Sequence, residues 1–365
     1  MKIGIDARLI NETGVGRYIR NLIEELGKVD DKNTYVIFLN ASGFDSFTVP
    51  NKRWKKVLAT VRWHTLVEQF VMPKMFYDAR LDLVHIPYHN PPIFYSGNMI
   101  VTIHDLTILH FNTGKATMLP KPLYQLKRIG YFLELWIGLR KAKQILAVSQ
   151  STKHEIIDHF RIKPEKIVVT YEGVDSNLKS HKTTLDTGNQ HIKQYQYFLY
   201  VGNAYPHKNL SVVIDALEKS KTNAKVVFAG KEDYFYKRLR REITRRGLSS
   251  RVVFFGAADD LSLRSLYTHA QALLFPSLME GFGLPPLEAL SCGCPVIASD
   301  ISVHKEILKD LVTYFSPSDT EQLTILLDTW KKDDHQVKSE KVSLQLREYN
   351  WKKLALETLR VYQNI

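Results

Sequence analysis

In SLMEGFGLPPLEALSCGCPVIASD (277–300) a glycine-rich loop runs into a helix and then into an apolar strand. With QALLFPS (271–277) before it, the stretch reads strand, loop, helix, strand, one unit of a parallel α/β sheet. Gly281 and Gly283 let the backbone come close to a ligand, and Pro285 and Pro286 suit the first turn of a helix. The loop thus feeds a helix N-terminus whose free N–H groups attract phosphate. Glu280 stands in the loop and Glu288 one turn into the helix, with seven residues between them. Taken singly, a first-turn glutamate can simply complement the helix dipole, worth about 0.3–1 kcal/mol, and a loop glutamate can be a surface carboxylate. Together with the glycines and prolines they read as one ligand loop.

The same alternation fills the rest of the chain. Just upstream, YQYFLYVGN (195–203), AKVVFAGK (224–231) and RVVFFGA (251–257) read as strands, separated by a helix over 210–220 and a basic helix over 234–247. An earlier set opens with KIGIDAR (2–8), the glycine loop NETGVGRY (11–18) and a helical pattern. It continues through YVIFLN (35–40), LDLVHIPYHN (81–90), MIVTIHDL (99–106), QILAVSQ (144–150) and KIVVTYEGVD (166–175). The polar, aperiodic stretch between the sets predicts domains at 1–180 and 195–345 joined by a linker at 181–194, with an amphipathic C-terminal segment, 346–365, able to pack back on the first domain. A length of 365 residues suits two domains at roughly 150 residues each. Ligands of open parallel sheets bind beyond the carboxyl ends of the strands. That rule selects Thr13–Arg17, His104–Asp105, Gly202–Lys208 and Ser277–Glu288, which line one cleft if the two domains face each other.

The composition, 44% hydrophobic and 24% charged with two cysteines, excludes a disordered chain and a disulfide scaffold. No run of about 18 apolar residues predicts a membrane span, and the opening MKIGIDARLI lacks the layout of a signal peptide, so a cytoplasmic location is expected. The formal charge of +12 invites anionic partners. Residues 52–80 hold seven basic and two acidic side chains, and residues 115–143 seven and one, both interleaved with Trp, Tyr, Phe and Leu. Such stretches suit either a solvated helix face over a buried apolar side or a patch peripheral on the inner face of an anionic membrane. No nucleic-acid motif accompanies the charge, and no nucleic-acid partner is expected. Cys292 and Cys294, with no further cysteines, read as small core residues. The spacing of His85, His89, His104 and His110 matches no metal signature. In TGVGR the third glycine of a dinucleotide loop is missing, since Ile19 stands two residues after Arg17, which argues against a nicotinamide enzyme.

The loop at 277–300 resembles the E-x7-E motif of the retaining family-4 glycosyltransferases, and four further segments resemble motifs of that family in the same order along nearly the whole chain. TGVGRY (13–18) is similar to its first glycine loop, TIHDL (102–106) to its strand ending in histidine, YEGVD (171–175) to its N-G-V-D turn and VGNAYPHKNL (201–210) to the glycine-then-lysine segment that opens its second domain. The resemblance implies the GT-B fold, two facing Rossmann-like α/β domains with parallel sheets and an inter-domain cleft. It implies a hexosyltransferase with a nucleotide-diphosphate sugar as co-substrate and a glycan or lipid-linked glycan as acceptor.

Carried onto this sequence, the resemblance gives Glu280 the donor sugar hydroxyls and Glu288 the ribose hydroxyls. The amides of Gly281, Phe282, Gly283 and Leu284 would hold the diphosphate, and Lys208 would neutralise the leaving group. His104 would sit near the transferred sugar, Gly14 and Gly16 would let the first loop pass close to phosphate and acceptor, and Gly202 would open the second-domain turn. Many relatives carry an arginine where this chain has Asn203, so neutralisation would rest on Lys208 with help from His207. A lysine and a helix N-terminus stabilise a diphosphate without a divalent ion, and no D-x-D element is present, so neither metal nor other cofactor is expected. The segments YPHKN and TIHDL resemble bacterial mannosyltransferases of polysaccharide assembly, which leans the donor to GDP-mannose with a UDP-hexose as the alternative. A glycosidase pair at Glu280 and Glu288 would leave the glycine–proline loop and Lys208 without a task. A nucleotide-sugar epimerase or a non-catalytic glycan-binding protein on the same fold are the readings from other classes.

Overall fold

Short apolar strands that are buried on both faces need helices above and below them, and this is what the β-α alternation supplies. In the computed structural model, which describes residues 1–111, 120–174, 196–335 and 339–365, the chain divides into two units. The first comprises Met1–Leu109, Lys115–Gly173 and Tyr349–Ile365, and the second His110–Gly114 and Val174–Glu348.

The first unit is built on seven parallel strands: β1 (Lys2–Asp6), β2 (Thr34–Leu39), β3 (Trp54–Leu58), β4 (Leu83–Ile86), β5 (Met99–Ile103), β6 (Gln144–Ala147) and β7 (Ile167–Val169). Their order is β3-β2-β1-β4-β5-β6-β7, so the winding reverses between β1 and β4. The first helix, Gly14–Val29, buries Tyr18, Ile19, Leu22, Ile23 and Leu26 against the sheet. A Cβ on Gly16 would lie 2.5 Å from the carbonyl oxygen of Ile10, so only glycine lets the helix start against its own loop, whereas one on Gly14 would meet nothing within 4 Å.

The second unit has six parallel strands: β8 (Tyr197–Val201), β9 (Lys225–Ala229), β10 (Val252–Gly256), β11 (Leu273–Phe275), β12 (Val296–Ser299) and β13 (Thr313–Phe315). Their order, β10-β9-β8-β11-β12-β13, reverses between β8 and β11. Phe198, Tyr200, Val226, Phe228, Leu274 and Ile297 fill its core with Val213 and Leu217 of the helix Leu210–Lys219.

The C-terminal helix, Trp351–Gln363, belongs to the first unit, where it packs against Gly14–Val29. Asn350 caps it by accepting from the Lys353 amide at 2.8 Å, and Gly173 comes so near that an added Cβ would lie 2.3 Å from the Trp351 nitrogen. Tyr362 is fully buried, with its hydroxyl 2.6 Å from Nδ1 of His85 on β4. The other ring nitrogen of His85 lies 2.7 Å from the Thr102 hydroxyl, itself 3.2 Å from that of Tyr18.

Two strands, β3 and β13, differ from the sequence reading. Residues 54–58 look like part of a basic helical stretch, but form an edge strand in which Trp54 stacks on Tyr35 at 4.0 Å while Lys55 points outward. Lysines on an edge strand discourage pairing with another sheet. Helix follows only at Glu68–Asp78. The expected linker at 181–194 and Asp175 of the YEGVD turn lie outside the described residues.

Candidate active site

In the second unit the ends of β8 and β11, flanking the reversal point, carry the two candidate ligand loops, where open parallel sheets bind their ligands. Beyond β8, Gly202 adopts φ +144°. Its carbonyl accepts from the Tyr236 hydroxyl at 2.7 Å, and its amide donates to Ala229 at 3.0 Å. The Tyr200 hydroxyl donates to the carbonyl of Asn203 at 2.5 Å, and the Asn203 side chain accepts from the Tyr205 amide at 3.3 Å. Lys208 ends a single 3-10 turn, Pro206–Lys208, and Asn209 follows in the left-handed conformation at φ +54°. The Asn209 side-chain Nδ2 donates to the carbonyls of Pro276, at 3.1 Å, and Pro317, at 2.8 Å, which pins the lysine turn to the loop after β11.

That loop presents Glu280 to Lys208. The Lys208 ammonium donates to Oε1 of Glu280 at 2.7 Å, the Ser277 hydroxyl donates to the same oxygen at 2.6 Å, and Oε2 receives no hydrogen bond from the described residues. The side chains of Lys208 and Glu280 are 15% and 11% exposed. Burial pushes the Glu280 carboxyl up, but the charges of Lys208 and His207 and the two hydrogen bonds outweigh it and hold the group below its ordinary value.

Gly283 sits at φ +91° before the helix Leu284–Ser291, and a Cβ there would lie 3.1 Å from the Phe275 ring. Pro285 and Pro286 have no N–H, so the first-turn donors are the amides of Leu284 and Leu287, with those of Gly281 to Gly283 preceding them. Phe282 and Glu288 are buried, and Glu288 accepts from the Tyr267 hydroxyl at 3.0 Å. Burial pushes the Cys292 thiol up to about 11 and the Cys294 thiol up to about 12.

In the first unit, three segments that the sequence offers separately converge on one ring. His104, just beyond β5, has Nδ1 3.0 Å from Oε1 of Glu172 and Nε2 3.1 Å from the carbonyl of Pro87. Tyr18 meets the imidazole edge-on, with ring centroids 4.7 Å apart. The His104 carbonyl accepts from the Thr152 hydroxyl at 3.2 Å.

The structure thus unites Lys208, Glu280 and Ser277, puts Gly202 and Asn203 in the adjoining turn, and gives Glu288 a tyrosine partner. Gly14, Gly16 and His104 belong to the first unit. Sequence reasoning missed Tyr267, Gly230, Asn209 and Glu172 as supports. Asn209 and Glu172 stand inside the segments VGNAYPHKNL and YEGVD without an assigned role, and Gly230 had a local signal as a glycine directly after a strand; a Cβ there would lie 2.1 Å from the carbonyl oxygen of Gly202. Among the described residues no group of three His, Cys, Asp or Glu side chains is arranged to hold a metal ion.

Residues 13–178 match the model of Glycosyltransferase Family 4, and residues 182–350 that of Glycosyl transferases group 1. The chain is 26% identical to the O-antigen chain mannosyltransferase RfbU of Salmonella typhimurium, covering 84% of each chain, and 26% identical to the O-antigen chain mannosyltransferase B of Escherichia coli, covering 96% of each. HepE of Anabaena, solved in complex with UDP and glucose, superposes over the whole of both chains with a TM-score of 0.77 at 17% identity. With two Rossmann-like parallel sheets of seven and six strands in the GT-B architecture, and with these two domain models in tandem over most of its length, the chain belongs to the family-4, group 1 glycosyltransferases and is a hexosyltransferase.

Proposed function

We propose that the protein transfers mannose from GDP-mannose, with retention of configuration and without a metal ion, to a hydroxyl of a glycan or lipid-linked glycan. The observation that carries this reading is the Lys208–Glu280–Ser277 cluster ahead of the helix Leu284–Ser291. When the sugar–diphosphate bond breaks, negative charge gathers on the leaving phosphate. The Lys208 ammonium and the amides around Gly281–Leu284 are fixed positive groups for that charge. Oε2 of Glu280 is the oxygen left to accept a sugar hydroxyl, while Glu288, held by Tyr267, accepts from the ribose. The second unit holds the donor and the first the acceptor. His104 reaches the transferred sugar by exchanging its neutral partner, the Pro87 carbonyl, and stays oriented by Glu172. The choice of mannose is supported by the two O-antigen relatives, both mannosyltransferases by name.

The same proposal has the first unit rest on an anionic membrane surface. The helices Glu68–Asp78 and Lys121–Lys141 are tied by the Gln69–Glu134 hydrogen bond at 3.0 Å. Leu66, Phe70, Phe94, Leu126 and Ile129 are all more than half exposed, with Lys127, Arg128, Arg140 and Lys141 on the longer helix. Apolar side chains among lysines and arginines suit an acidic lipid interface. No helix among the described residues is long and apolar enough to cross a membrane.

The deciding experiment is a thermal-shift and turnover panel of GDP, UDP, GDP-mannose and UDP-glucose, with and without EDTA, followed by NMR of the product anomer. Stabilisation and turnover with the guanine nucleotides alone, unaffected by EDTA and giving the α-anomer, is the expected result. A response to UDP-glucose only, loss of turnover in EDTA, or an inverted anomer would each remove the corresponding part of the proposal.

A further inference from the structure

The reversal point of the first sheet carries a polar group that none of the assigned roles uses. His89, three residues beyond β4, is 6% exposed, and neither of its ring nitrogens has a hydrogen-bond partner among the described residues. Tyr131, from the helix Lys121–Lys141, stands edge-on to it with ring centroids 5.5 Å apart, and its buried hydroxyl likewise has no partner among the described residues. Tyr88 lies against the His89 ring at 3.6 Å, His64 at 5.6 Å, and Trp63 flanks His64 at 4.9 Å.

The charged groups nearest this wall hold one another: a single guanidinium lies between two carboxylates. Arg8 donates to Asp6 at 2.5 Å and to Glu68, and Asn90 donates to the same Glu68 oxygen at 2.6 Å. The wall offers an incoming ligand neutral polar atoms and aromatic faces, while the charged network beside it, one cation between two carboxylates, is tied up in its own hydrogen bonds and disfavours an anion. Burial drives His89 far below the ordinary histidine value and His64 down to about 4, so both rings are neutral, each able to donate from one nitrogen and accept at the other. Three buried polar atoms without partners are costly for a folded protein. A ligand rich in hydroxyls, with an apolar face for the rings, would recover that cost.

We propose that this aromatic-walled group is the subsite for the acceptor's sugar, a neutral pyranoside whose hydroxyls are read by His89 and Tyr131 and whose ring packs on Tyr88, His64 and Trp63. The inference rests on the transferase reading of the chain. It adds to that reading the residues that select the acceptor.

The test uses methyl α-D-mannopyranoside, with the methyl glycosides of glucose, galactose and N-acetylglucosamine beside it. Binding is followed through the histidine ring nitrogen resonances of the full chain, with the His89 signal assigned by its loss in His89→Phe. The expected result is that at least one glycoside moves the His89 signal. Its affinity, followed for the variants by ligand-observed NMR, falls at least tenfold in His89→Phe and Tyr131→Phe and is partly restored in His89→Gln. Both phenylalanine variants should melt at or above the wild-type temperature, because each removes an unpartnered buried polar group; a merely structural histidine would give the opposite. Should His89→Phe fold poorly, Tyr131→Phe and His89→Gln carry the comparison. Unchanged glycoside affinity in the variants, or no glycoside binding to the wild type, overturns the subsite. GDP and UDP melting shifts are read in parallel. Glycoside binding that depends on His89 in a protein that ignores both nucleotides would uphold the subsite and refute the donor reading alone.

Discussion

Lys208 and Glu280, 72 residues apart in sequence, hold each other at 2.7 Å across the ends of β8 and β11. The cation assigned to the leaving diphosphate therefore meets its donor already paired to a carboxylate. Glu280→Gln frees that cation, so the variant should bind GDP or UDP as tightly as the wild type or more tightly while turnover falls. Lys208→Ala should weaken nucleotide binding and lower kcat by about 10²–10³-fold, the range for removing one charge-stabilising group. Calorimetry with the free nucleotide separates the two. Equal weakening in both variants would contradict this division of roles.

Glu288 is buried, and its carboxylate accepts from the Tyr267 hydroxyl. Tyr267→Phe removes that hydrogen bond and should cost about 1 kcal/mol of stability, with nucleotide affinity weakened only severalfold. Glu288→Ala should weaken nucleotide and nucleotide-sugar alike. Unchanged affinity of Glu288→Ala for the free nucleotide would contradict the ribose role.

Gly230 shapes the turn at Gly202 through close packing. A methyl group there would meet the Gly202 carbonyl at 2.1 Å and the Tyr236 hydroxyl at 2.4 Å, the two atoms that fix the turn before Lys208. Gly230→Ala should lose roughly 1–3 kcal/mol, the cost of overpacking a close contact, and should lose nucleotide binding with it. Urea unfolding and a GDP or UDP titration on one preparation measure both.

Glu172 orients His104 through Nδ1 at 3.0 Å. Glu172→Gln keeps the shape and replaces a carboxylate with an amide, so kcat should fall while the nucleotide dissociation constant stays the same. A matching loss of nucleotide affinity would show that the first-unit cluster acts on the donor rather than on the transfer step.

Glu134 gives a pH dependence with a definite sign. Burial, then the charge of Glu68, pushes its carboxyl up to about 7 against the lowering effect of the Gln69 hydrogen bond. An unfolded glutamate titrates near about 4.3, so between these values the folded chain binds the extra proton, and this group's contribution to stability falls as pH rises. Above about pH 7 the penalty is complete. Glu134→Gln should therefore gain roughly 1–3 kcal/mol at pH 8 and almost nothing at pH 4, measured by denaturant unfolding at both.

The repeated strand–helix pattern and the loops at strand ends were legible because fully buried strands must be apolar and ligand loops need glycine. β3 was not, because an edge strand with a buried Trp54 and outward Lys55 carries the same residues as an amphipathic helix. β13, TYF, lacks the aliphatic run that marks β7 and β11, strands of the same length. Lys208 and Glu280 could be read from their segments. Their mutual contact could not, nor could the hold of Tyr267 on Glu288 or of Glu172 on His104, since each joins positions whose spacing no local pattern encodes. Asn209 shows the same limit: its two carbonyl partners, Pro276 and Pro317, follow β11 and β13 and come beside it only when the sheet has formed.

The helix Trp351–Gln363 makes the order of synthesis matter. His85 waits for Tyr362 until 277 further residues have been made, on the order of 15–55 s at the usual 5–20 residues per second. During that interval the nascent first unit lacks the layer that covers Gly14–Val29, and it keeps a histidine buried or half-buried without its hydroxyl. The second unit has all of its strands as soon as β13 emerges, so the half of the protein made first is the half finished last.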